Sequence, residues 1–402
     1  MRKKPYMILG GSIGQVPAIV TSKKLGFETI VIDRDETAVG ANYADIFEAV
    51  NTIDIEAATA VAKKYNVAGT MTISSDIAVP TVCAINEALH LPNQGVGIGL
   101  NVTDKAVMRK LFEQHNVKSP KFIAYHKDEP FENLKKQISS LLQHGSYIVK
   151  PTDSSGSRGV TRITSIEQLQ QAVEYAMSFT RNDKIVVEQF IEGVEVGAQS
   201  FMINGEMVKC FIHNDKVSKN MIPIGHSFPF VGEKTLIAEI HEQCAIAMKA
   251  LGIVNGPANI DIIVTPSNEA YVIEIGARIG ATKLPEIVEA YSNWDIITNT
   301  ILLSVGQTVA LNESGHVPVA VEMLYFEEEQ IVDHIEDIQS IIEQFEPLSF
   351  EMNIEPGQAI RPLRSGVDVY GFVICQGESA QDAELNCERF IQAIKSKINF
   401  KK

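Results

Sequence analysis

From Tyr6 to about residue 100, short apolar runs alternate with stretches whose apolar residues recur at helical spacing. "YMIL", "TIVIDR" and "GTMTIS" read as strands, and "GQVPAIVTSKKLG" and "EAATAVAKKYNV" as helices between them. This βαβ rhythm predicts a parallel sheet. "NVTDKAVMRKLFEQHNVKSPKF" predicts a helix with Thr103 as N-cap and Pro120 beyond its end. From Lys121 the pattern becomes α+β. "SYIVKP" is a strand, "DSSGSRGVTRI" a glycine and serine loop entering another strand, and "TSIEQLQQAVEYAM" an amphipathic helix with a Ser165–Gln168 capping box. "KIVVEQFIEGVEVGAQSFM" reads as strand, break, strand. Residues 310–402 add further strands and helices, with the acidic run "FEEEQIVDHIEDIQ" as a solvated helix face.

One hairpin stands apart. In "NIDIIVTPSNEAYVIEIGARIGATKLP" two β-branched and aromatic runs flank the turn formers Pro266, Ser267 and Asn268. With the turn centred near Ser267–Asn268, counting pairs Ile263 with Val272, Asp261 with Glu274 and Asn259 with Gly276. Like charges directly opposite each other destabilise a sheet unless a cation lies between them. Either both carboxylates face solvent, or they hold a divalent metal such as Mg²⁺, which takes one or two carboxylates and completes its shell with phosphate and water.

Composition narrows the class. The chain has 402 residues, 45% hydrophobic and 21% charged, which is room for two or three soluble domains. Its net charge of −15 argues against binding nucleic acid by neutralising phosphates. The apolar run near the N-terminus is too short for a signal segment, and no stretch approaches the roughly 18 apolar residues of a membrane span. The five cysteines are widely spaced without C-x-x-C, as expected of reduced thiols in a cytoplasmic protein, and the nine histidines show no zinc spacing. "GGSIGQ" and Asp33 suggest a dinucleotide site, but the G-x-G-x-x-G spacing is not met, so Gly10, Gly11 and Gly14 read as a tight strand-to-helix turn.

A nucleotide with Mg²⁺ needs phosphate donors, an adenine slot, ribose acceptors and metal carboxylates. Lys105, Lys150 and the loop "TDSSGSRGV" offer the first, and no Walker A or kinase motif competes. In order and spacing, Lys105, Lys150 in "YIVKP", "SSGSRGV", the hinge "VVEQFIEGVEV" and Asp261 with Glu274 make the chain similar to the ATP-grasp superfamily over nearly its whole length.

The resemblance implies an α/β and α+β protein of ATP-grasp fold. Its expected parts are a Rossmann-like N-terminal domain over 1–115, a lid subdomain over 116–190 and a C-terminal antiparallel-sheet substrate domain over 191–402. It implies that Lys105 and Lys150 bind ATP phosphates under a mobile lid containing Ser154, Ser155, Gly156 and Ser157. Glu188, Gln189, Phe190 and Ile191 would line the adenine site, with Glu195 on the ribose. Asp261 and Glu274 would bind Mg²⁺, for which Mn²⁺ could substitute. Many members read Glu-x-Asn after the second carboxylate, whereas here Gly276 stands at the asparagine position. The run "EIGAR" resembles the L-amino-acid ligase branch, in which the arginine matching Arg278 grips a substrate carboxylate or acyl phosphate.

Likeness to that branch implies a carboxylate–amine ligase working through an acyl phosphate, with small-molecule carboxylate and amine substrates and Arg278 and Lys150 as catalytic residues. A purine-pathway or bicarbonate-using enzyme, or a non-catalytic nucleotide module, are the alternatives. Dimers are common among such relatives, so a homodimer is one expectation; a nucleic-acid or membrane partner is not. No general base is evident: His213, Asp215, His226 and Glu233 fall in a stretch expected to flank the acyl substrate, where a histidine serves equally as pocket wall or catalyst.

Overall fold

The structure, a computed structural model, describes residues 4–92, 95–156, 158–219 and 222–401. The N-terminal strands Tyr6–Leu9, Thr29–Asp33, Ile46–Ala49 and Gly69–Met71 form a parallel sheet in which the first strand lies between the second and fourth. Ile46–Ala49 has no counterpart among the strands expected from the sequence; its residues are half-buried or exposed, so the apolar contrast is weak.

The helix expected around Thr103 is two helices, Val96–Thr103 and Lys105–Gln114. Thr103 ends the first, its hydroxyl donating to the Gly99 carbonyl, and Asp104 caps the second by accepting from the Ala106 and Val107 amides. A carboxylate at the cap also meets the positive end of the helix, so Asp104 displaces Thr103 from that role. The Ser165–Gln168 capping box is present.

Strands Phe122–His126, Tyr147–Pro151, Thr161–Ile163 and Lys184–Gln189 make a small antiparallel sheet covered by the helices Phe131–Leu141 and Leu169–Met177. The largest sheet has eight strands, beginning with Ala270–Gly276, Gly256–Val264, Val194–Ile203, Glu206–Val217 and Pro223–Phe228 in that spatial order. Side chains alternate along each strand. One set, with Val196, Ala198, Ile260, Ile262 and Ile275, packs into a core with helix Lys234–Ala250 and with Met108 and Phe112 of helix Lys105–Gln114. The other set carries the polar groups described below. At one end of that polar face Phe201 and Phe211 pack against Trp294, with ring centroids 5.2 and 5.7 Å away.

The acidic run expected as a helix is a strand, Gln330–Ile335, pairing with Ala359–Ile360 and Ile398–Phe400. Val332 is buried while its neighbours Ile331 and Asp333 are exposed. A lone buried residue between exposed ones fits the period of a strand, and the glutamates Glu327–Glu329 lie before it. Among the described residues, no helix is long and apolar enough to cross a membrane. All five cysteines are free thiols, and four of them are buried.

Candidate functional site

The hairpin Gly256–Val264/Ala270–Gly276 pairs Asp261 with Glu274 and Asn259 with Gly276, as counting gave. Beyond Asp261 the count fails: Ile262 pairs with Val272 and Ile263 with Tyr271, so Ile273 is bulged out. Bulges re-aim neighbouring side chains. The carbonyl of Ile273 accepts from Arg109 Nη2 at 2.5 Å.

Register spreads one polar face over five strands. Glu274 and Asp261 continue through Gly197, which pairs with both Asp261 and His213. A side chain at Gly197 would run into the His213 ring, so the glycine lets the imidazole lie across the strand. One rung to one side come Gly276, Asn259, Gln199 and Phe211; to the other come Ile263, Glu195 and the pair Asp215 and His226.

Asp261 is set by a relay. The Gly280 amide donates to Gln199 Oε1 at 2.9 Å, Gln199 Nε2 to Asn259 Oδ1 at 2.6 Å, and Asn259 Nδ2 to Asp261 Oδ1 at 3.0 Å. Asp261 is reachable by solvent yet surrounded by protein and acids. Burial, with the charge of Glu274 behind it, pushes its carboxyl up to about 7. Glu274 Oε1 is 2.9 Å from Lys105 Nζ, which also donates to the Ser154 carbonyl at 2.7 Å. Burial alone would lower the Lys105 ammonium; Glu274 outweighs it and raises it. Two opposed carboxylates and an aligned amide, all hard oxygen or amide donors, fit a divalent cation of the Mg²⁺ type.

Lys150 leaves the small sheet toward the same cleft, its Nζ 2.8 Å from Glu188 Oε2. Arg109 completes a buried trio, with Nε 2.9 Å from Glu188 Oε1 and Nη2 donating to Oε2 at 3.1 Å. Burial lowers the Lys150 ammonium, whereas at Glu188 the penalty of burial is overcome by Arg109 and Lys150, which hold the carboxyl low. Arg109 was not singled out from the sequence. Its signal was there: it lies four residues after Lys105, on one helix face with Met108 and Phe112, where a charged side chain needs a partner.

The loop after Lys150 is tied at its base. Thr152 accepts from the Lys105 amide at 2.9 Å, and Asp153 accepts from Thr180 and from the Arg181 amide. Gly156 has φ +66° and open space where a side chain would stand. Of the expected lid residues, Ser154 touches Lys105 through its carbonyl and Ser155 accepts from Arg158 Nε at 3.0 Å, while Ser157 lies outside the described residues. In the hinge, the Gln189 and Phe190 amides donate to the carbonyls of Lys121 and Ser146, and the Arg162 guanidinium lies 3.7 Å from the Phe190 ring centroid. Ile191 has no backbone hydrogen-bond partner among the described residues. Glu195 is half-buried with its carboxyl raised, by burial first and Asp215 second.

Arg278 sits at the end of the hairpin face, but its fork is taken. Nε and Nη2 each donate to Asp76 at 2.8 Å. At Asp76 the cost of burial is outweighed by Arg278, and the carboxyl is held below its usual range. Asp76 was not foreseen, because 202 residues separate it from Arg278. Two further groups gather on the same face: His213 Nδ1 and His226 Nδ1 lie 2.8 and 2.6 Å from Asp215 Oδ1. Burial lowers the His226 imidazole.

The N-terminal glycine loop closes on itself. Asp33 Oδ2 accepts the Gly11 amide at 2.7 Å, and the Gly11 carbonyl accepts the Gly40 amide. The carboxylate that a dinucleotide ribose would need is occupied by the loop, as the reading of a tight turn implied.

Residues 102–282 match the ATP-grasp domain, and residues 323–399 match the L-amino acid ligase C-terminal domain 2. A D-alanine–D-alanine ligase of Pelobacter propionicus is 29% identical over 218 residues, 50% of this chain and 66% of that enzyme, slightly under two thirds of the relative's length. An L-amino acid ligase from Bacillus licheniformis shares the fold with a TM-score of 0.80 at 18% identity, covering 100% of this chain and 99% of that one. A phosphoribosylglycinamide synthetase from Anaerococcus prevotii does so with a TM-score of 0.78 at 23% identity, covering 99% of each chain. The chain has the ATP-grasp fold, with an ATP-grasp domain over residues 102–282 and a C-terminal domain of the L-amino acid ligase type over residues 323–399.

Proposed function

We propose that this protein is an ATP-dependent carboxylate–amine ligase that forms a peptide-type amide bond and releases ADP and phosphate. The observation that supports it best is convergence. Lys105 from a helix, Lys150 from the small sheet, Asp261 and Glu274 from the hairpin and Arg278 beyond it meet around one cleft. The match of the C-terminal domain to the L-amino acid ligase family favours an amino acid as substrate.

In this reading the adenine packs by the hinge, its edge hydrogen-bonded to the free backbone of Ile191, and Glu195 accepts from the ribose hydroxyls. Lys105 and Lys150 exchange their contacts with Glu274 and Glu188 for phosphate oxygens, so both ammoniums are held in place before nucleotide arrives. Asp261 and Glu274 would hold Mg²⁺, which would supply positive charge beside the phosphates. The acyl phosphate formed on the substrate carboxylate is attacked by the amine. Arg278, with its remaining N–H groups beside the face, stabilises the carboxylate and then the oxyanion. The loop that follows Lys150, tied at its base through Thr152 and Asp153, closes over the site and keeps water from the acyl phosphate. His226, steadied by Asp215, stands on the same face as the group best placed to accept a proton from the amine.

Likeness to the synthetase from Anaerococcus prevotii, and to a carboxylase domain solved with bicarbonate, gives a second reading, a purine-pathway type ligase or a bicarbonate-using carboxylase-like enzyme. Phosphate release from Mg²⁺-ATP, measured against all pairs of amino acids with bicarbonate and free amines as controls, separates them. Release that needs two amino acids is the expected result. Release that needs bicarbonate or a sugar amine would overturn the first reading in favour of the second.

A further inference from the structure

His213 and Asp215 lie at alternate positions of the strand Glu206–Val217, so they share its polar face. His226 pairs with Asp215 from the neighbouring strand Pro223–Phe228, 11 residues further along the chain. Spacing along the chain therefore carries no zinc signature, while strand register brings the three side chains together. One oxygen of Asp215 and one nitrogen of each imidazole all lie within 4.8 Å of one another. Among the described residues, no other three histidines, cysteines or acids gather in this way. The two rings converge edge-on, with centroids 5.0 Å apart and planes at 81°.

Hydrogen bonding accounts for half of the arrangement. His226 Nδ1 makes a hydrogen bond with Asp215 Oδ1 at 2.6 Å. Neither ring nitrogen of His213 makes one among the described residues, although the residue is 2% exposed. Its Nδ1 is 2.8 Å from the same oxygen but out of line for a hydrogen bond. The rest of its surroundings include the Phe228 ring, 5.5 Å away between centroids, and the bare backbone of Gly197. A buried imidazole without hydrogen bonds is unfavourable unless something else engages it. Asp215 is short of a partner too. Its ion-pair partners among the described residues are these two imidazoles, and burial favours the neutral form of His226. Glu195 and Asp261 lie near enough for Asp215 to raise their carboxyls, so the surroundings are acidic.

We propose that His213, Asp215 and His226 form a second cation site, which takes Zn²⁺ or a similar transition ion. Mg²⁺ prefers oxygen ligands, as the hairpin acids offer; two imidazole nitrogens with one carboxylate oxygen suit a borderline ion with water in its fourth position. Ligand atoms around tetrahedral Zn²⁺ stand about 3.3 Å apart, so the present contacts open by roughly half an ångström. The ion takes the lone pair of His226 Nδ1, and the proton of that nitrogen moves to Nε2. The imidazole stays neutral but no longer accepts a proton from the amine, so metal loading is expected to stop turnover. That consequence, unlike the binding itself, rests on His226 being the proton acceptor.

Equilibrium dialysis of the full chain against Zn²⁺, with saturating Mg²⁺ and a non-hydrolysable ATP analogue, tests the site. One Zn²⁺ per chain is expected to stay bound, and Co²⁺ in its place should show the intense visible absorption of a tetrahedral ion. His213→Phe, which fills the space without a donor, is expected to weaken Zn²⁺ binding more than about 100-fold, beyond the range for residues that only support a metal site. Should it fail to fold, Asp215→Asn, similar in size, is expected to weaken binding as well. Glu274→Gln should leave the Zn²⁺ in place. Failure of the unaltered chain to retain Zn²⁺ would overturn the proposal. So would unchanged affinity in His213→Phe, or a loss confined to Glu274→Gln, which would put the ion on the hairpin. Zn²⁺ held by the cluster while phosphate release continues would keep the site and refute His226 as the proton acceptor.

Discussion

Two parts of this chain present the same cue, a glycine-rich loop and an acid on a strand, and the structure treats them in opposite ways. At the N-terminus, Asp33 is consumed by the Gly11 amide, and the loop's own carbonyl is taken by Gly40. In the hairpin cleft, Asp261 keeps a raised carboxyl among other acids, and the Lys105 and Lys150 ammoniums rest on carboxylates that a phosphate could replace. The difference is whether the polar groups already have local partners. A loop whose groups are satisfied within a few residues is a structural turn, whereas charges held in mismatched excess by distant elements form a site waiting for a ligand.

The sharpest way to break that contrast is at Glu274. Glu274→Gln is expected to bring ADP formation to background, a loss of at least about 10²–10³-fold, with the thermal unfolding profile retained. An active Glu274→Gln protein would remove the metal assignment. Next comes Arg109→Met, which strips one of two cations from the buried Glu188. It should cost about 3 kcal/mol in urea unfolding, and full stability would mean that Lys150 alone suffices. Asp33→Ala tests the other side. The Gly11 amide loses its acceptor, so about 1–3 kcal/mol of stability should go while ADP formation stays within about twofold; loss of turnover with stability intact would place function at the glycine loop after all.

The smallest effect concerns pH. Burial holds the His226 imidazole below its unfolded value of about 6.5, and the Asp215 carboxylate and the His213 ring face it. The unfolded chain therefore takes up a proton that the native chain refuses. His226 contributes stability that is complete above pH about 6.5 and declines as pH falls toward its lower native value, by at most about 1.4 kcal/mol per pH unit. His226→Gln should flatten that decline in urea midpoints measured between pH 5 and 7; an unchanged slope would mean that Asp215 keeps the imidazole charged in the native state.

Much of this was legible one strand at a time. Counting outward from a turn centred near Ser267–Asn268 gave the hairpin register at Asp261 and Glu274, and the order of Lys105, Lys150, Glu188 and Glu195 resembled a family whose fold the chain shares. What failed to read were features set by distant contacts. The bulge at Ile273 shifts the pairing beyond Asp261, and Arg109, from a helix far away in sequence, takes the Ile273 carbonyl. The strand Gln330–Ile335 carries helix-like acidic composition, and only its partners Ala359–Ile360 and Ile398–Phe400 make it a strand. Asp76 is invisible locally: nothing near it in sequence announces that Arg278 lies across the cleft.

Entry of nucleotide into the hairpin cleft, and not into the N-terminal glycine loop, is tested most directly by a crystal structure with Mg²⁺ and a non-hydrolysable ATP analogue. The triphosphate is expected between Lys105, Lys150 and the face of Asp261 and Glu274, with the adenine beside Ile191. Nucleotide density over Gly10 to Gly14, with Asp33 released from Gly11 and the Lys105–Glu274 contact intact, would contradict it.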